Sequence, residues 1–195
     1  MRQLSLIIAI SAVILLMSSC DNAKRYKLEI DRLEASVASA DSAAVVYNQL
    51  PLDSLQRLFK KVKNDMALVQ STFEGEMNKD LGVTLSRYRD IPNNIKNLAQ
   101  LRGQVNKELE LSSKQLIQLK EAILSGANKD SKGNSIDENY IKKNTELETK
   151  VVNNLVQQIQ RMQSGSEKAM AEYTKYYPML KPTLDSLQSI AKDKP

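Results

Sequence analysis

Seven residues, RLFKKVK (Arg57–Lys63), hold four cations, Arg57, Lys60, Lys61 and Lys63, and no acid. Cations this closely spaced attract phosphate and carboxylate groups, each contributing about 1 kcal/mol beside an anionic membrane. The run is therefore a candidate contact for lipid headgroups or an anionic envelope polymer. Its ordinary reading is a solvated helix face, because Leu55, Phe59, Val62 and Met66 recur on the other side. A second grouping, YTKYYP (Tyr173–Pro178), places Tyr173, Tyr176 and Tyr177 within two helical turns. Tyrosines so placed suit a contact surface. Their seam positions also suit the end of a core, with Tyr173 and Tyr176 inward and Tyr177 at the rim.

A third stretch, NKDSKGNSIDEN (128–139), puts Gly133 at the sixth place of a calcium loop, where a sharp turn is needed. The ligand positions do not follow. Asn128 stands for the first carboxylate, Lys132 places a positive charge at the fifth position, and Asn139 replaces the bidentate Glu. A solvated connection is expected, and no metal site. The sequence has no His and one Cys. Without imidazole, Ser-His-Asp and Cys-His catalysis and His metal sites are excluded. The 23 acidic residues mostly lie near Lys or Arg, as on solvated helix faces. We expect no enzyme, no catalytic residue and no cofactor.

The single cysteine, Cys20, follows a short basic start (Met1-Arg2-Gln3), an apolar run from Leu4 to Met17 broken only by Ser5 and Ser11, and two small residues, Ser18 and Ser19. An apolar run of this length suits a secretory signal rather than a membrane span. The order of features resembles the lipobox of bacterial lipoproteins, with Met17 where that family usually has Leu. The resemblance implies that residues 1–19 are a cleaved signal peptide. It also implies that Cys20 takes a diacylglycerol and becomes the mature N-terminus, carrying palmitate-like acyl chains as a membrane anchor. Buried methylenes contribute about 0.8 kcal/mol each, so two or three chains would hold the protein permanently. The chain would then sit on the inner or outer membrane, facing the periplasm. Asp21 resembles an inner-membrane retention signal of some lineages. With Cys20 acylated, no thiol remains for a disulfide.

Lys and Arg exceed Asp and Glu by 28 to 23. This mild excess permits contact with anionic lipid or polymer without demanding it. Nucleic acid is not expected, since no stacking aromatics alternate with the cations.

Helices must position these groups. Tyr26, Ile30, Leu33, Val37, Ala40, Ala44 and Tyr47 follow a 4-3-4-3-4-3 spacing, a heptad seam that Pro51 ends. Leu55, Phe59, Val62, Met66, Val69 and Phe73 form a second seam, which Asp53 and Gln56 would cap. Gly75 and Gly82 predict a bend between about 75 and 83. After Ile91-Pro92-Asn93, a third seam runs Ile95, Leu98, Arg102, Val105, Leu109, Ser112, Leu116, Leu119 and Ile123, and the polar stretch 125–135 is a flexible loop. A fourth seam takes Tyr140, Leu147, Val151, Leu155, Ile159, Met162, Ala169, Tyr173 and Tyr176, until Pro178 and Pro182 break the helix before a short amphipathic piece.

The expected fold is all-α, an elongated antiparallel helical bundle or coiled coil of about four long helices plus a short C-terminal one. The helices run about 23–49, 53–90, 94–124, 136–177 and 183–191, in a single domain spanning 20–195. A three-helix bundle with the first helix as a stalk is the alternative, disfavoured because an Ala-rich seam is weak alone. This architecture resembles helical envelope lipoproteins that bind cell wall, in general shape only. The expected function is a lipid-anchored, non-enzymatic scaffold or interaction lipoprotein of the bacterial cell envelope, with a protein partner or envelope polymer. The alternative is a binding module for an anionic envelope glycan or lipid.

Overall fold

A computed structural model describes residues 21–95 and 98–193, with side chains throughout except at 98–102. Cys20, and the side chains of the seam positions Leu98 and Arg102, therefore lie outside what is described. The chain is all-α. In order come α1 (Lys27–Gln49), preceded by helical residues 21–25, then α2 (Leu52–Thr72), α3 (Lys79–Asp90), a 3-10 turn (Ile91–Asn94), α4 (Leu98–Ser125) and α5 (Glu138–Asp193). No strand occurs among the described residues.

The chain divides into two compact units. Unit 1 takes the described part of Met1–Val45 with Val105–Gln158, and unit 2 the described parts of Val46–Gln104 with Ile159–Pro195. In unit 1 the first helix packs as a core member rather than a stalk. Tyr26, Ile30, Leu33 and Ala40 of the first seam join Leu116, Leu119 and Ile123 of α4 and Ile141 and Val152 of α5 in one buried apolar cluster. Burying each large side chain contributes about 1.5–3 kcal/mol, which explains how an Ala-rich helix is held.

Local chemistry sets the ends. Asn78 caps α3, its Oδ1 accepting from Leu81 N at 2.8 Å, and Asp137 caps α5 through Oδ1 and Tyr140 N at 2.8 Å. At α2 the expected Asp53 cap is replaced. The helix starts one residue earlier, at Leu52, with Pro51 in the cap position and no side-chain cap bond, and Asp53 lies in the first turn, where its charge suits the helix dipole. The long second helix expected over 53–90 is divided. Phe73 turns extended (φ −73, ψ 115) and Gly75 takes φ +121, a region open to Gly alone at low cost, so the chain leaves the helix and resumes at Lys79. Gly126, at φ +67, ends α4. Ala127 N donates to Ala122 O (3.0 Å) and Gly126 N to Ile123 O (3.2 Å), the paired bonds of a Schellman turn. A side chain there would also meet Asn22 Nδ2 at 2.7 Å.

Pro178 and Pro182 do not break α5, which is continuous to Asp193. Each proline forfeits a backbone bond, at a cost of about 3 kcal/mol. Both side chains lie on the exposed side, while Leu180, Leu184 and Leu187 on the other side are buried in unit 2 and hold the helix on course. The fourth seam is also rotated from expectation. Leu147 and Val151 are exposed, and Thr145 and Val152 are buried in their place.

Candidate functional site: a cation–aromatic cluster

The second seam shows how the candidate site arises. The buried line on α2 is Leu55, Leu58, Val62, Asp65, Val69 and Thr72. Phe59, Met66 and Phe73, expected inward, are only half-buried. A rotation that favours Leu58 over Phe59 carries Asp65 into the interior, where a carboxylate is tolerated only with strong partners.

Asp65 has them. Tyr88 of α3, fully buried, donates its hydroxyl to Asp65 Oδ2 at 2.7 Å. Lys61, one turn earlier on α2, donates Nζ to Oδ1 at 2.8 Å and to Oδ2 at 2.9 Å. Above them Tyr173 and Tyr177, one turn apart on α5, stack with centroids 5.0 Å apart and planes 11° apart. Tyr88 lies 6.0 Å from Tyr173 and 6.5 Å from Tyr177. Lys61 Nζ sits 4.8 Å from the centroid of Tyr177, within cation–π range. The basic run and the tyrosine grouping, far apart in sequence, thus meet at Lys61 and Tyr177.

The electrostatics follow from this geometry. Burial, then the hydrogen bond to Asp65 and its charge, push the Tyr88 hydroxyl far above the ordinary tyrosine range. Burial likewise raises Tyr173. For Lys61, burial opposes the charge, and the bond to Asp65 with its attraction outweighs that, leaving the ammonium above its usual value. Tyr88 therefore stays protonated and Lys61 charged across the neutral range. Asp65, Lys61 and the Tyr88 hydroxyl are paired with one another, and the Tyr173 and Tyr177 rings pack against them, so the cluster is a clamp between α2, α3 and α5.

The other sequence candidates fall around it. Arg57 Nη2 donates to Ser54 Oγ at 3.0 Å, Lys63 Nζ lies 5.4 Å from the Phe59 ring centroid, and Lys60 is exposed. Tyr176 and Tyr177 exchange the places expected of them. Tyr177 joins the stack, while half-buried Tyr176 faces Lys175, whose Nζ is 5.1 Å from its ring centroid. Lys181, one turn beyond Tyr177, pairs with Asp185 at 2.5 Å. Asp65 and Tyr88 were missed by sequence reasoning. The available signal was the Lys61–Asp65 spacing of four, which on a helix brings opposite charges together.

No family model matches the chain, and no curated protein or solved structure matches it.

The connection from Ser125 to Asp137 is organised rather than flexible. Lys129 and Ser135 form an isolated antiparallel bridge. Asp130 Oδ1 accepts from Lys132 N (2.9 Å) and Asn134 N (2.8 Å), and Oδ2 from Asn134 Nδ2 (2.8 Å) and Tyr140 OH (3.1 Å). These bonds, led by the Asn134 side chain, draw the Asp130 carboxyl down to about 2. Its oxygens are thus committed to the turn. Among the described residues, no three His, Cys, Asp or Glu side chains converge as a metal site would require. No helix among them is long and apolar enough to cross a membrane.

Proposed function

We propose that the protein is a lipid-anchored, non-enzymatic interaction module of the bacterial cell envelope, tethered through Cys20 and engaging a protein partner through its helices. The anchor reading rests on the order of basic start, apolar run, small residues and Cys20. The observation carrying the choice of interaction module over polyanion binder is the pairing of Lys61. The central cation of the basic run, though partly exposed, is bonded to Asp65 and lies against the Tyr177 ring, so its charge is already engaged within unit 2. The second reading, an anionic glycan or lipid binder, draws on Arg57, Lys60 and Lys63, which remain on the exposed side of α2.

Metabolic labelling with a fatty acid tests the anchor: the wild type takes label and Cys20→Ala does not. Equal labelling would refute it. The contact reading is tested with Arg57→Gln/Lys60→Gln/Lys63→Gln, leaving Lys61 in place because its loss would strand Asp65. Retention of the protein by isolated envelope should be unchanged in this variant. A salt-sensitive retention that vanishes in it would favour the polyanion reading instead.

A further inference from the structure

The break between α2 and α3 differs from the connection at 126–137 in how its backbone is bonded. Residues 74–80 are exposed without interruption. Phe73 N donates to Val69 O at 3.0 Å and closes α2, and the next bonds belong to the cap of α3, Leu81 N to Asn78 Oδ1 at 2.8 Å and Gly82 N to Asn78 O at 3.0 Å. Between these ends the backbone groups of Gly75, Glu76 and Met77 have no partner among the described residues. The other connection is built the opposite way. Asp130 N donates to Asn134 O at 2.9 Å, Gly133 N to Asp130 O at 3.0 Å and Ile136 N to Asn128 O at 3.0 Å, on top of the bonds to the Asp130 carboxylate.

An endopeptidase holds its substrate as an extended strand, pairing the substrate's amides and carbonyls with its own backbone. A helix must unwind before it can be held so, whereas residues 75–77 are already free. The Glu76–Met77 bond has unbonded backbone on both sides, and Gly75 just before it, at φ +121, can re-aim the chain at low cost. The Glu76 side chain is exposed and has no partner among the described residues, so its carboxylate is available to a cation-lined specificity pocket. We propose that this segment is a proteolytic processing site, at which an endopeptidase selective for an acidic residue hydrolyses the Glu76–Met77 bond. Water supplies both new ends: its hydroxyl goes to the Glu76 carbonyl carbon and its hydrogen to the Met77 nitrogen as the C–N bond breaks. The product is a two-chain protein rather than two loose pieces. The N-terminal chain keeps Tyr26, Ile30, Leu33 and Ala40 in the apolar cluster of unit 1, and in unit 2 its Asp65 still accepts from Tyr88 of the other chain. The site is independent of whether Cys20 is acylated and of what partner the helices contact.

Terminal-amine labelling and mass spectrometry of the protein recovered from its native cells test the processing. A new terminus at Met77 is expected in the wild type and should be lost in Glu76→Gln, a change at an exposed side chain that leaves the fold alone. No Met77 terminus in the wild type, or an equal amount in the variant, would overturn the site. The backbone argument is tested separately on the purified full chain with a glutamyl endopeptidase. Its first cut should fall after Glu76 and be slowed at least about tenfold by Glu76→Gln. The two chains should then co-elute in gel filtration, with helicity by circular dichroism unchanged. An earlier cut at any other bond, that after Glu138 included, would overturn the choice of this segment, and separation of the fragments would overturn the two-chain product.

Discussion

The two units differ in how completely they match the polar groups they bury. In unit 2 the buried polar residues are matched: Asp65 accepts from Lys61 and Tyr88, Thr84 Oγ1 donates to Asp80 O at 2.9 Å, and Ser166 Oγ donates to Met162 O at 2.6 Å. In unit 1, Thr145 Oγ1 and Glu148 Oε2 are buried without a hydrogen-bond partner among the described residues. Burial raises the Glu148 carboxyl above its ordinary range, with no cation offsetting it. Meanwhile Leu147 and Val151, beside them on α5, stay exposed. In unit 2 the Asp65–Tyr88 bond ties α2 to α3, whereas unit 1, although Ser36 Oγ donates to Thr149 Oγ1 at 3.2 Å, carries two unpaired buried atoms as a cost beside its apolar cluster.

The largest expected effect breaks the apolar side of this contrast. Leu116→Asn replaces a fully buried side chain of unit 1 with an amide that finds no partner, and should destabilise by about 3–5 kcal/mol, read by urea denaturation. Next comes the clamp. Asp65→Leu strands the Tyr88 hydroxyl and should cost about 2–3 kcal/mol, whereas Asp65→Leu combined with Tyr88→Phe should cost less than the two single changes summed, by at least about 1 kcal/mol. Additive costs would mean that the two residues do not act as one unit. Thr145→Val sharpens the comparison by its sign. Removing an unpaired hydroxyl at constant shape should stabilise by about 1 kcal/mol, raising Tm by about 2–4 °C, while Tyr88→Phe at the paired site should lower it by a similar amount.

The smallest effect concerns pH. Asp130 has its carboxyl lowered in the folded chain, so its contribution is present above the ordinary value of 3.8 and lost as pH falls through about 2. The Lys132 and Asn134 amides should keep their folded NMR shifts at pH 4 and lose them only near pH 2. Loss at pH 4 would contradict the bonding described for this turn.

Much of this was legible in the sequence where periodicity and packing agreed. The all-α class follows from four apolar seams. The first and third predict burial of Tyr26, Ile30, Leu33, Ala40, Tyr47, Ile95, Val105, Leu109, Ser112, Leu116, Leu119 and Ile123, which are buried, but also of Val37 and Ala44, which are only half-buried while their neighbours Ser36 and Ala43 are buried. The second seam was read one residue off because Phe59 and Met66 are more apolar than Leu58 and Asp65 taken together, and hydropathy alone gives no credit for a carboxylate with two partners. The same limitation hid the clamp, since Tyr88 and Tyr177 lie far from Lys61 along the chain. Pro178 and Pro182 signalled a break that leucine burial overrode, a tertiary effect invisible to local rules.

The seat of Asn22 against Gly126 bears on how the molecule would hang from a bilayer. The helical structure of unit 1 already includes residues 21–25, with Asn22 O accepting from Tyr26 N at 2.9 Å and its amide filling the space a side chain at 126 would take. With the acyl anchor proposed at Cys20, the slack from there to Asn22 is at most about 7 Å of chain. That is too short for a leash. The protein would swivel about its attachment point but not swing away from it, so its working radius above the lipid headgroups would be set by its own helices rather than by a flexible stem.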